Sequence, residues 1–96
     1  MKNIVVVANL AAHPGKEAQL RDALSALVAI VKREPGCIRY DLHEAIDTPG
    51  QFVFYEIWED DERLDVHNGT EDMKAFVAKA GSWIKTISVV KYQHIS

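Results

Sequence analysis

Residues 51–59, Gln51-Phe52-Val53-Phe54-Tyr55-Glu56-Ile57-Trp58-Glu59, decide the fold. Side chains alternate along a strand, so Phe52, Phe54, Glu56 and Trp58 share one face while Val53, Tyr55 and Ile57 share the other. Apolar residues on both faces predict a strand covered on both sides. Upstream, Asp47-Thr48-Pro49-Gly50 is a turn signal. Before it, Cys37 to Glu44 alternates Ile38, Tyr40 and Leu42 against Arg39, Asp41 and His43, the pattern of a strand with one face on a core. The two runs predict an antiparallel hairpin, whose first arm is half wet and whose second is aromatic.

Reading outward, Ile4-Val5-Val6-Val7-Ala8 is a further strand, and Pro14-Gly15 a turn. Leu20, Ala23, Leu24, Leu27 and Val31 then recur at helical spacing, giving a helix of about five turns that Pro35-Gly36 stops. After the hairpin, Asp60-Asp61-Glu62 places carboxylates where a helix N-terminus favours them, and a short helix carries Leu64, Val66 and His67 as far as Asn68-Gly69. Thr70 caps a second stretch with Met73, Phe76, Val77 and Ala80 on one stripe, ended by Gly81. Thr86 to Ile95 alternates again as a fourth strand.

The order β-α-β-β-α-β, with the second helical region split, is the ferredoxin-like α+β plan: a four-stranded antiparallel sheet with helices on one face. Helices on one face leave the apolar residues of the other uncovered. Large exposed apolar patches are unusual on monomers, which predicts a homodimer through the open face of the sheet.

With 96 residues the chain has room for one domain, spanning 1–96. It is 48% hydrophobic and 26% charged, which excludes a disordered or collagen-like chain and predicts no membrane partner. A net charge of −3, with no basic run longer than Lys32-Arg33, speaks against nucleic acid. The lone Cys37 cannot form an intrachain disulfide, so a reducing, cytoplasmic location is expected, with Cys37 an inert packing thiol. Lys2 followed by Ile4 to Ala8 faintly resembles a signal peptide, but polar Asn9 interrupts the run.

Three side chains stand out chemically. Glu56 lies among aromatics, where a carboxylate is either paired, with Arg39 or another cation, or raised in pKa as at functional sites. Asn9 either caps a turn or points into a cavity. His67 is near enough to Trp58 in the chain to share a pocket between helix and sheet, though a lone His is often a surface or satisfied core residue. His13, His43, His67 and His94 show no metal spacing, and the chain has no phosphate loop, serine elbow or dinucleotide fingerprint. A metal site, covalent serine catalysis and nicotinamide binding are therefore not expected.

Ala8-Asn9-Leu10, Pro14-Gly15-Lys16, Glu34-Pro35-Gly36-Cys37 with Tyr40, Phe52 through Trp58, Leu64 through His67 and Met73-Lys74-Ala75-Phe76 together resemble the antibiotic biosynthesis monooxygenase domain family over nearly the whole chain. The resemblance implies a dimeric α+β barrel with a pocket between sheet and helices in each subunit. It also implies oxygenation of polyaromatic phenols or quinols by molecular oxygen without metal, flavin or haem. Asn9, Tyr40, Glu56, Trp58 and His67 match positions that recur in that family.

Triplet oxygen reacts slowly with closed-shell organics, so an enzyme without a cofactor must first make its substrate an electron donor, most simply by removing a phenolic proton. The expected catalytic residues are His67 or Glu56 as base, with Asn9 and Tyr40 donating to the oxyanion. Trp58, Tyr40 and Phe54 are the expected substrate-binding residues, stacking on the ring and excluding water. Three other readings compete. Haem degradation lacks its expected histidine in Phe76-Val77-Ala78-Lys79-Ala80. Isomerisation of a phosphorylated sugar-like signal would need a cationic phosphate site, and a non-catalytic dimer could bind a small aromatic ligand in the same pocket.

Overall fold

A computed structural model describes residues 2–96. Strand β1 (Ile4–Ala12), helix α1 (Glu17–Val31), β2 (Cys37–Glu44), β3 (Gln51–Trp58), α2 (Asp61–Asn68), α3 (Glu71–Ala80), a short 3₁₀ turn at Gly81–Trp83 and β4 (Ile84–Gln93) follow in chain order. The sheet has the order β2-β3-β1-β4, and every neighbouring pair is antiparallel. This is the ferredoxin-like α+β arrangement.

The helical periodicity reads through to the core. Leu20, Ala23, Leu24, Leu27 and Val31 are the buried residues of α1. They pack on Val6, Ala8 and Leu10 of β1 and on Phe52, Phe54 and Trp58 of β3. α1 ends at Val31, about four turns long, and the chain then turns through Pro35-Gly36. The expected caps form, with Asp60 accepting from the Arg63 amide and Thr70 from the Met73 amide. Val66 and Val77 are exposed rather than on the buried stripes, because Leu64 with His67 and Met73 with Phe76 define the inward faces.

Three strands depart from the alternation pattern, and among them β4 spans Ile84–Gln93 instead of Thr86 to Ile95. β1 continues to Ala12, so Asn9 lies inside a strand and not at a turn. β2 begins with an irregularity between Cys37 and Arg39. A bulge adds one residue to one side of a pair, and the result here is that Ile38 is exposed while Cys37 packs against the core.

Charge ties the hairpin to α1. Arg21 forks onto Glu44 with two bonds of 2.7 Å, and Glu44 also accepts from the Gly50 amide at 3.0 Å. These partners pull the Glu44 carboxyl down to about 2. Gly36 has φ +83° and lies so near Arg63 that a Cβ there would run into its side chain, so the return from α1 to β2 needs glycine.

Among the described residues no helix is long and apolar enough to cross a membrane.

Candidate functional site

A cavity of about 140 Å³ lies between the sheet and the helices. Val6, Ala8 and Leu10 of β1 form its floor, Leu24 and Leu27 line it from α1, and Met73 and Phe76 from α3. Its polar groups are concentrated in Tyr40, Glu56, His67, Asn68 and Lys91. One side is open: Ile87 and Val89 of β4 line the cavity but are each 59% exposed.

His67, Glu56 and Tyr40 are the buried ionisable side chains lining the cavity, at 3%, 5% and 2% exposure. His67 Nδ1 lies 2.9 Å from Glu34 Oε1. Its ring is tilted over Trp58 at 4.5 Å between centroids and meets the edge of Tyr40 at 5.7 Å. Trp58 Nε1 donates to Glu56 Oε1 at 2.9 Å. Burial raises the Glu56 carboxyl above its ordinary range, opposed by the Trp58 hydrogen bond and the nearby His67. Tyr40 is pushed up by burial and by the carboxylates of Glu56 and Glu34, so its hydroxyl holds its proton and stays a donor. Its ring stacks on Phe54 at 4.6 Å.

The geometry brings together His67, Glu56, Tyr40 and Phe54, and corrects three expectations. Asn9 does not belong to the cavity: Val6, Ala8 and Leu10 point inward, so strand parity sends Asn9 to the opposite face, where it is exposed beside Val53 and Ser88. Trp58 does not line the cavity either; it is fully buried behind Glu56 and His67 and holds both. Glu56 is not paired with Arg39, which lies on the other face, bonded to Asp41 and set over the Tyr55 ring.

Two residues escaped the sequence reading. Glu34 follows the C-terminus of α1, where the helix dipole disfavours a carboxylate, and that misplacement was its one local signal. Its Oε2 is buried with no hydrogen-bond partner. Lys91 is a charge on the inward face of β4, in phase with Ile87 and Val89. Cys37 is partly buried, and burial raises its thiol pKa, which keeps it in the unreactive form. Among the described residues no three His, Cys, Asp or Glu side chains group so as to hold a metal ion.

Residues 3–79 match the model of the family described as antibiotic biosynthesis monooxygenase. The chain belongs to that family. The Synechocystis protein sll1783 is 28% identical over 93 residues, 97% of this chain, which spans 63% of that relative's length. Rv0793 of Mycobacterium tuberculosis is 31% identical over 78 residues, covering 81% of this chain and 76% of that one. The crystal structure of PA3566 from Pseudomonas aeruginosa superposes with a TM-score of 0.95 at 28% identity, covering 100% of this chain and 97% of the other.

Proposed function

We propose that this member of the family is a monooxygenase that oxidises a small phenol or quinol with molecular oxygen and without metal, flavin or haem. The observation that carries the reading is the bond between His67 Nδ1 and Glu34. It occupies one ring nitrogen of a histidine that lines the cavity and leaves Nε2 as the free basic nitrogen.

In this reading Nε2 takes the proton of the phenolic hydroxyl. Glu34 fixes the tautomer and steadies the imidazolium that results. Tyr40, kept protonated by burial, donates to the phenolate oxygen, and Phe54 holds the ring. The phenolate gives one electron to dioxygen, and the resulting radical and superoxide join in a carbon–oxygen bond. His67 returns its proton to the peroxide, and the O–O bond then breaks as the ring carbon that bears it loses its hydrogen as a proton, leaving one oxygen atom on the ring as a quinone carbonyl and releasing the other as water. Glu56, whose carboxyl pKa is raised by burial, relays a proton here, giving one to the departing oxygen and taking the one released from the ring carbon. Asn9 has no part in this scheme, and Trp58 acts by holding Glu56 and His67 in place.

The open sheet face supports pairing with a second copy. Tyr55, Val90 and Tyr92 are exposed there beside half-buried Val5, Val7 and Val53. A reducing cytoplasm suits the free Cys37.

Oxygen uptake by metal-stripped protein with a panel of hydroquinones and naphthols is the test. We expect catalysed uptake that falls about a hundredfold or more in His67→Ala, the usual scale for loss of a general base. No uptake from any member of the panel, or tighter binding of a sugar phosphate than of any phenol, would overturn the reading.

A further inference from the structure

The substrate class of the same cavity can be read from the sheet register. Tyr40 lies opposite Glu56, Glu56 opposite Val6, and Val6 opposite Lys91. These residues form one row across all four strands, and directly opposed residues share a face, here the one beneath the helices. α2 crosses above the row. Its first residue, Asp61, accepts a hydrogen bond from Lys91 Nζ at 2.8 Å, while His67 near its other end packs on Trp58 and Tyr40. The helical rise between Asp61 and His67, about 9 Å, matches two strand spacings, the distance from β4 to β3. The cavity therefore has one polar wall, with Glu56 and His67 at one end and Lys91 at the other. The next rows, Phe54-Ala8-Val89 and Leu10-Ile87, are apolar.

Size and charge then restrict what fits. The cavity volume is about 140 Å³, and an apolar cavity of roughly 150 Å³ takes one benzene ring. Among the described residues Lys91 is the one Lys or Arg that lines it. An ammonium has three donors and Asp61 occupies one, so Lys91 can bind a second anion without releasing the first. Lys91 also stands at the open side, where a substituent can project beyond the ring.

We infer that the substrate is a phenol of one ring that also carries an ionised acid group, its hydroxyl at Glu56 and His67 and its acid group at Lys91. This rests on reading the cavity as a phenol site, and it is tested by binding alone. Under anaerobic conditions, calorimetry with dihydroxybenzoate, hydroquinone and naphthohydroquinone should show the acid binding about tenfold or more tighter than hydroquinone, the scale of a charge-assisted hydrogen bond. In Lys91→Met the ratio should fall to about one, whereas Lys91→Arg and Asp61→Asn should keep it. A lysine that served only to tie β4 to α2 would instead make Lys91→Met and Asp61→Asn behave alike. That result, an unchanged ratio in Lys91→Met, or tightest binding by naphthohydroquinone would overturn the inference. Lys91-dependent binding of the acid without oxygen consumption would overturn the oxygenase reading and leave this one standing. Oxygen consumption with neutral quinols and no preference for the acid would do the reverse.

Discussion

The same face of one sheet is built in two ways. On the β2–β3 side Tyr40, Phe54 and Trp58 are buried beneath α1 and α2. On the β4 side Ile87 and Val89 line the same cavity but stand largely in solvent. The closed half raises the Glu56 carboxyl by burial and holds His67 against Trp58, which needs a dry, fixed surround. The open half leaves the cavity in contact with solvent. Rigidity and access are thus assigned to different strands.

The largest test of that contrast is truncation on each side. Trp58→Ala should cost about 3–5 kcal/mol in urea denaturation, since it opens a void under two polar groups. Val89→Ala should stay within about 0.5 kcal/mol, as exposed substitutions do. Equal costs would mean that the β4 side is covered in solution.

A second test uses the opposite face of the sheet. Val7→Lys, on the central strand and pointing away from the cavity, should convert a dimer into a monomer by light scattering. Phenol binding should persist. An unchanged mass would remove the open face as the contact between copies.

Glu56→Gln probes the closed half by charge. Its carboxyl pKa is raised by folding, so its contribution to stability is greatest at low pH and falls as pH rises above the ordinary value of 4.5. The glutamine variant should therefore melt a few degrees higher than the parent at pH 8, with the gap closing below pH 4.5. A lower melting point at pH 8 would show that the charged form is stabilised.

The smallest effect belongs to Glu44, half-buried where the hairpin meets α1. Its carboxyl pKa is lowered from 4.5 to about 2, so the bridge to Arg21 contributes above pH 4.5 and is lost as pH falls towards 2. Acid titration of Glu44→Gln beside the parent should show the difference between them vanish across that window.

What could be read in advance was periodicity. The stripe from Leu20 to Val31 and the two arms around Pro49-Gly50 fixed the helix, the hairpin and hence the layers, because spacing is a local property of the chain. Phe54, Glu56 and Trp58 were placed on the right face by parity. Parity does not give depth, so the pattern puts Trp58 in the cavity wall although it lies behind it. The face of Asn9 is not legible in the sequence, because the run before it is apolar on both faces and gives no phase; β1 gains its phase only from packing on α1. The exposure of Ile38 follows from a bulge with no sequence mark, and Glu34 meets His67 across 33 positions of chain, a pairing no local pattern contains.

The floor of the cavity also has a consequence for inhibitor chemistry. β1 is bonded to β3 on one edge and β4 on the other, so its backbone is the least able to yield, and Ala8 and Val6 set a fixed height beneath α1 and α3. For the phenol proposed above, a chemist elaborating the ring cannot thicken it. New atoms must be added in the plane of the ring and outward past Val89, so a useful series of analogues would differ in length along that single direction.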